Sequence, residues 1–179
     1  MLRTPNDRLL NMTLPMNLLR TRLINELAMC RQSLEYNIDC SDEEFSELPV
    51  TLEVAMTGIP GPVLRMGRVE DNLEHAMQII ITPEYPYEKP IVRWQTPIFH
   101  PNIMLPRDGG YVCTKLLDAW NFSSNLLGFI KGVESLLANP NPINPYRSDS
   151  CMLASEKFIE TPYSPAEKKL PKGGPRIVG

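Results

Sequence analysis

The chain contains few of the residues from which metal centres and disulfide frameworks are built. Its 179 residues include only two histidines and four cysteines, and no two cysteines stand in Cys-x-x-Cys spacing. Zinc sites and disulfide scaffolds both require such groups in close sets. We therefore expect no metal site and reduced thiols throughout, with Cys30, Cys40 and Cys151 as small residues of the protein interior.

An excess of charge and a long apolar segment are also missing. The 18 Lys and Arg residues against 21 Asp and Glu residues give a net charge of −3, so we expect no nucleic-acid partner. Residues 1–15 carry Arg3, Asp7 and Arg8 instead of the apolar core of a signal peptide, and no run long enough to span a membrane occurs. The composition thus predicts a cytoplasmic protein with no membrane partner, and monomer is the default oligomeric state.

Hydrophobic periodicity predicts an α+β fold with an N-terminal helix, a four-stranded antiparallel meander sheet and C-terminal helices. Apolar residues at three- and four-residue steps predict helices over 16–34, 125–138 and 148–159. Alternating apolar residues predict strands over 50–57, 63–69, 73–82 and 91–94, with a turn at 58–62 and a solvated acidic loop at 39–47. On the third strand, Leu73, His75 and Met77 are expected to share a buried face, which makes His75 a structural residue.

A proline- and glycine-rich loop over 97–110 sets His100-Pro101-Asn102 shortly before Cys113. Irregular loops of this length usually have a function. A thiolate can accept an acyl group as a thioester, and a nearby amide N–H can hold the oxyanion that forms when that carbonyl is attacked. Cys113 and Asn102 are therefore the predicted catalytic residues of an acyl transfer. An Asn102 that only bonds its own loop backbone is equally compatible with the sequence.

The order of these elements over residues 16–159 resembles the ubiquitin-conjugating enzymes. The resemblance rests on a proline-rich turn, the His-Pro-Asn loop, a cysteine segment, a tryptophan and a Pro-Asn-Pro motif. In this chain they are Pro83-Glu84-Tyr85-Pro86 with Pro90, Ile98-Phe99-His100-Pro101-Asn102-Ile103, Gly110-Tyr111-Val112-Cys113, Leu116-Leu117, Trp120, and Ser135-Leu136-Leu137 leading to Pro140-Asn141-Pro142. Each motif alone is weak evidence for this family, whereas the whole series in this order is specific to it.

The resemblance implies that Cys113 takes the C-terminal carboxyl of ubiquitin, or of a ubiquitin-like protein, from an activating enzyme, and that a lysine amine then attacks the thioester. ATP is used by the activating enzyme, so this chain needs no cofactor. His100 and Pro101 would organise the loop, and Asn102 would stabilise the oxyanion or support the loop. The chain then divides into an N-terminal extension (1–15), a catalytic domain (16–160) and a flexible tail (161–179).

The resemblance also implies partner surfaces. Trp94 stands where the family presents an apolar contact for RING-type ubiquitin ligases, and an exposed Trp can anchor such an interface. Phe122, in a sequence that departs from the family's Ser-Pro-Ala, is expected to take over part of that contact. Arg20 and Arg22 match the region that meets the activating enzyme.

The chain departs from the family pattern in two places near the cysteine. The interval from Asn102 to Cys113 is 11 residues, a few more than usual, with residues 106–108 as the extra material. Asn144 stands where many members carry an acid, and it can orient an amine without taking its proton. Asp118 or Asp108 could supply that carboxylate instead, a hypothesis that unchanged lysine discharge in both alanine variants would remove.

Two other functions fit parts of the sequence. A non-catalytic ubiquitin-binding variant of the same fold would lack the cysteine, which this chain has at the expected place. A cysteine hydrolase would use Cys113 as nucleophile and His100 as base, but no third residue that orients the histidine is evident.

Overall fold

The computed structural model describes residues 12–112 and 115–166, without the side chains of Lys115 and Leu116. Four helices, four strands and one 3-10 turn occur in this part of the chain. They are α1 (Met16–Ser33), β1 (Asn37–Cys40), β2 (Val50–Arg65), β3 (Arg68–Ile81), β4 (Ile91–Trp94), the 3-10 turn (Pro106–Asp108), α2 (Lys115–Asp118), α3 (Leu126–Ala138) and α4 (Asp149–Glu160). The predicted α+β fold is confirmed, as are the three predicted helices and the last strand.

The strands form one antiparallel sheet in the order β1-β2-β3-β4. The prediction of separate strands over 50–57 and 63–69 is wrong, because β2 runs without a break from Val50 to Arg65 and residues 68–69 already belong to β3. Residues 58–60 bulge from the ladder where the pairing of β2 with β3 shifts register. The hairpin turn lies instead at Met66 and Gly67, whose φ angles of 48° and 77° suit a two-residue hairpin turn.

The strand β1 occupies the start of the predicted acidic loop. Asp39 and Cys40 pair with Glu53 and Leu52 of β2. Only one residue of this four-residue strand is buried, so its apolar pattern is too short to indicate a strand. The loop that follows is ordered by hydrogen bonds from backbone N–H groups to the Asp42 carboxylate.

The core lies between one face of the sheet and the helices α1 and α3. Its fully buried members include Leu19, Leu23, Val54, Met56, Met77, Ile79, Leu126, Ile130 and Val133. His75 is buried among them, as expected of a structural histidine, but Leu73 is 51% exposed. Leu73 was predicted on the buried face; it lies opposite the bulge in β2, where the regular ladder is interrupted.

A buried carboxylate that the apolar pattern does not reveal links three elements. Glu26 of α1 is 6% exposed. It accepts hydrogen bonds from the Tyr85 hydroxyl at 2.6 Å and from the Leu126 backbone N–H at 2.9 Å, and it pairs with Arg22 at 2.7 Å. Because buried charges are costly unless paired, this group fixes α1, the proline-rich turn and the start of α3 relative to one another.

The residues that follow α4 pack against β3. The Tyr163 hydroxyl and the Ala166 backbone N–H donate to the two carboxylate oxygens of Asp71 at 2.7 and 2.8 Å. The Tyr163 ring also stacks on Phe158, with centroids 5.7 Å apart. Residues 161–166 of the predicted tail thus have defined contacts, and the rest of that tail lies outside the described residues.

Candidate active site

Asn102 joins the His-Pro-Asn loop to the loop that follows α3. The residue is 3% exposed, and its Oδ1 accepts a hydrogen bond from the Asn141 backbone N–H at 2.8 Å. Its Nδ2 donates to the carbonyl oxygens of Asn141 at 3.1 Å and Asn144 at 3.0 Å. Both amide hydrogens are used within the protein, so the geometry favours the supporting role of Asn102 over direct donation to an oxyanion.

His100 is held at both ring nitrogens. Its Nδ1 accepts a hydrogen bond from the Asn102 backbone N–H at 3.0 Å, and its Nε2 lies 2.9 Å from the Leu136 carbonyl oxygen. Because a carbonyl only accepts, Nε2 carries the hydrogen and the ring is neutral. Such a ring has no lone pair left to take a proton from a thiol, which argues against the cysteine hydrolase.

The buried state of His100 predicts a loss of stability in mild acid. Burial lowers the pKa of His100 from 6.5 to about 4, and nearby His75 lowers it too, against the opposing bond to Leu136. The unfolded chain therefore binds a proton that the folded chain does not, and stability is lost as the pH falls from 6.5 towards 4. We expect the free energy of unfolding to fall by about 3 kcal/mol over this range.

Urea unfolding at pH 7 and pH 4.5 measures this effect, with His100→Gln as the variant that cannot titrate. The unmodified chain should lose about 2 kcal/mol more than the variant between the two pH values. Equal pH dependence in both proteins would contradict the assignment to His100.

The cysteine segment is anchored beside this loop. Val112 forms an antiparallel bridge with Ile103, and the Met104 N–H donates to the Tyr111 carbonyl at 2.9 Å. Cys113, the predicted acyl carrier, lies outside the described residues. The residue before it and the residue after Asn102 are therefore paired, which joins the segment that leads to Cys113 to the His-Pro-Asn loop.

Gly110 is required where this segment meets the sheet. The Trp94 N–H donates to the Gly110 carbonyl at 2.7 Å. A Cβ at Gly110 would collide with the backbone of Trp94, and its φ of 62° also favours glycine. The end of β4 and the cysteine segment are thus in direct backbone contact.

Two tyrosines and an arginine form a stack that includes Tyr111 of the cysteine segment, and we call it the aromatic stack. The rings of Tyr111 and Tyr146 lie 6.2 Å apart at an interplanar angle of 12°. The guanidinium carbon of Arg93 lies 4.0 Å from the Tyr111 ring centroid. This stack was not predicted from the sequence; a tyrosine two residues before the cysteine and another shortly after Pro-Asn-Pro were the available signals.

Asp118 and Asp108, the two predicted substitutes for an acid at position 144, lie in different grooves. Asp118 lines a groove of about 530 Å³ together with Tyr111, Val112 and Tyr146, and lies 3.8 Å from the Lys89 ammonium. Asp108 lines a different groove and accepts a hydrogen bond from Ser150 of α4 at 3.2 Å. Asp118 therefore shares a groove with the cysteine segment, whereas Asp108 is engaged elsewhere.

The prediction that Trp94 is exposed for a ligase is wrong. Trp94 is 1% exposed and its ring lies 5.5 Å from the His75 ring in the core. Phe122 is 49% exposed and lies 5.4 Å from the Tyr87 ring. Tyr87, a half-buried aromatic residue between prolines in the proline-rich turn, is a neighbour of Phe122 that was not predicted from the sequence.

Arg20 and Arg22 both make contacts within the chain. Arg20 donates to the carbonyl oxygens of Phe45 at 2.9 Å and Ser46 at 2.7 Å. Arg22 donates to the Ser124 carbonyl at 2.7 Å, in addition to its pairing with Glu26. Their charge alone therefore does not mark a binding surface, and their contact with an activating enzyme stays a prediction.

Across 12–112 and 115–166, no helix combines the length and apolar character that crossing a bilayer requires. That part of the chain also holds no group of three or more His, Cys, Asp or Glu residues placed to bind a metal ion.

Known proteins are similar to this chain in sequence and in fold. The profile of a family described as "Ubiquitin-conjugating enzyme" matches residues 31–165. A probable ubiquitin-conjugating enzyme E2 of Acanthamoeba polyphaga mimivirus is 35% identical over 85 residues, 46% of this chain and 52% of that protein. Ubiquitin-conjugating enzyme E2 T of Mus musculus is 37% identical over 78 residues, 41% of this chain and 37% of that protein. The matches thus span about half or less of these relatives.

Solved structures match over more of the chain. S. cerevisiae Ubc12 superposes with a TM-score of 0.60 at 24% identity, covering 84% of this chain and 76% of its own. The E2 domain of a Toxoplasma gondii ubiquitin conjugating enzyme gives a TM-score of 0.58 at 24% identity, covering 79% of this chain and 87% of its own. At such identities the likeness is one of fold.

Proposed function

Because the chain belongs to the ubiquitin-conjugating enzyme family, we propose that Cys113 accepts the C-terminal carboxyl of ubiquitin or a ubiquitin-like modifier as a thioester and passes it to a lysine amine. One observation carries the proposal. Val112, which precedes Cys113, pairs with Ile103, which follows Asn102. The segment that leads to the predicted acyl carrier is thereby joined to the His-Pro-Asn loop.

The transfer step follows from the chemistry of thioesters. The deprotonated lysine amine attacks the thioester carbonyl; the carbon–nitrogen bond forms, the carbon–sulfur bond breaks, and Cys113 leaves as a thiolate. A thiolate with a pKa near 8.5 departs readily, whereas the lysine must first lose a proton at a pKa of about 10.4. In our proposal the amine's proton passes to solvent, directly or through the Asp118 carboxylate.

The test mixes the purified chain with an activating enzyme, ATP and a ubiquitin-like modifier, and compares gels run with and without reducing agent. We expect an adduct of one modifier per chain that reducing agent removes. A non-catalytic binding variant would give no covalent adduct, and a cysteine hydrolase would release the modifier continuously. Absence of an adduct with a competent activating enzyme and its cognate modifier would overturn the proposal.

We assign the ligase contact to Tyr87 and Phe122 in place of Trp94. Phe122 is exposed and the neighbouring Tyr87 is half-buried, and the Arg22 guanidinium carbon lies 5.0 Å from the Phe122 ring centroid. Aromatic residues and arginine are enriched at the energetic centres of protein interfaces. The pair is therefore suited to a partner that offers an apolar pocket, such as a RING-type ligase.

Tyr87→Ala and Phe122→Ala are expected to lower ligase-stimulated lysine discharge by about tenfold or more, because truncated hot-spot residues typically cost 2 kcal/mol or more. Discharge to free lysine without ligase should stay unchanged. Ile159→Ala removes another exposed apolar side chain, 63% exposed on α4, and serves as the matched control. Equal losses with and without ligase would mean that the aromatic pair has a structural role instead.

A further inference from the structure

The aromatic stack connects three separate parts of the chain beside the cysteine segment. Arg93 belongs to β4 and pairs with Gln78 of β3, so one side of the stack is fixed to the sheet. Tyr111 is held through its carbonyl oxygen, which accepts from the Met104 N–H at 2.9 Å. Tyr146 comes from the loop that follows α3. The stack thus connects the sheet, through the cysteine segment, to that loop.

The loop over 141–146 is attached to the site at both of its ends. Asn102 bonds its start through Asn141. At its end the Tyr146 N–H donates to the Pro101 carbonyl at 2.7 Å, and the Tyr146 ring packs on Tyr111. Between these attachments Ile143 is 88% exposed. The loop therefore presents an exposed tip beside the cysteine segment, and the aromatic stack is its only side-chain attachment to that segment among the hydrogen bonds and ring contacts of the described residues.

We propose that the aromatic stack is a positioning element for the aminolysis step. It holds the 141–146 loop in a fixed position against Tyr111 of the cysteine segment and forms one wall of the passage by which the lysine amine arrives. This inference rests on the proposed function. It assigns Tyr111, Tyr146 and Arg93 to the discharge of the modifier and not to its loading.

Loading of the modifier and its discharge to lysine differ in how much they depend on such a wall. In loading, the nucleophile is the Cys113 thiolate, which belongs to the chain and needs no capture from solution. In discharge, a separate amine must reach the carbonyl in an attacking geometry, and displacement by about 1 Å can cost 10²-fold in rate. Tyr111 is 42% exposed, so loss of the Tyr146 ring would open the Tyr111 ring further to solvent. The loop would then keep its hydrogen bonds to Pro101 and Asn102 but lose its side-chain contact with the cysteine segment.

The test measures loading and lysine discharge separately for Tyr146→Ala, Tyr146→Phe and the double variant Tyr111→Ala/Tyr146→Ala. We expect Tyr146→Ala to discharge about tenfold more slowly at saturating lysine, with loading unchanged within about twofold. Tyr146→Phe keeps the stacked ring and should discharge within about twofold of the unmodified chain. The double variant should be no more than about twofold slower than Tyr146→Ala, because the two rings act as one unit.

Tyr163→Ala is the matched control, since it removes another stacked tyrosine that lies on Phe158; its discharge rate should stay unchanged. Normal discharge by Tyr146→Ala would overturn the inference, as would parallel losses of loading and discharge or the same slow discharge in Tyr163→Ala. Failure of the unmodified chain to form any adduct would instead reject the proposed function, so the two failures are distinguishable.

Discussion

Cys113→Ser is expected to load the modifier far more slowly and to hold what it loads as an ester that reducing agent does not remove. A serine hydroxyl is a weak nucleophile unless a base activates it, and both nitrogens of His100 are already engaged. An alkoxide is also a much poorer leaving group than a thiolate. Lysine discharge from the serine ester should therefore fall on the order of a thousandfold or more.

Gel assays with and without reducing agent, followed over hours, measure both changes. Cys113→Ala should give no adduct at all. Cys40→Ser is the control variant, because Cys40 is only partly buried while Cys30 and Cys151 are buried. If Cys113→Ala still formed a reductant-labile adduct and Cys40→Ser formed none, the acyl carrier would be Cys40 and the assignment to Cys113 would be wrong.

Asn102→Asp is expected to slow lysine discharge and to lower the free energy of unfolding. The substitution replaces the Nδ2 donor by an oxygen that faces the carbonyl oxygens of Asn141 and Asn144, at 3.1 and 3.0 Å in the present structure. It also places a charge at a site that is 3% exposed. We expect unfolding to become easier by about 3 kcal/mol, as for other unpaired buried charges. Discharge should slow by about 10²-fold, because a displaced loop misplaces the reacting groups.

Denaturant unfolding and single-turnover discharge of Asn102→Asp and Asn102→Ala test this prediction together. If Asn102 supports the loop, both variants lose stability and rate, and Asp loses more of each. A variant that discharges 10² to 10³-fold more slowly at unchanged stability would show that Asn102 donates to the oxyanion directly.

Regular elements and the order of motifs were predictable because both are local. The periodicity of α1, α3 and α4 and the alternation of β4 are present in short windows of sequence. The same alternation could have corrected one error: Val92 and Trp94 lie on one face of β4, and both are buried. The prediction of an exposed Trp94 rests on the family resemblance, and the alternation of β4 contradicts it.

Contacts between distant segments could not be predicted in this way. The aromatic stack combines residues 93, 111 and 146, and the hydrogen bonds of Asn102 reach a loop about 40 residues further along the chain. Periodicity states which face of an element is apolar and gives no information on which loops meet. The bulge in β2 escaped prediction for a related reason, since Gly and Pro indicate a turn and a bulge equally well.

The carboxylate of Glu26 restricts how chimeras of this protein can be built. Exchanging α1 for the corresponding helix of a relative without an acid at that position would leave the Tyr85 hydroxyl and the Leu126 backbone N–H without a hydrogen-bond acceptor. The first helix, the proline-rich turn and the start of α3 must therefore be transplanted as one unit.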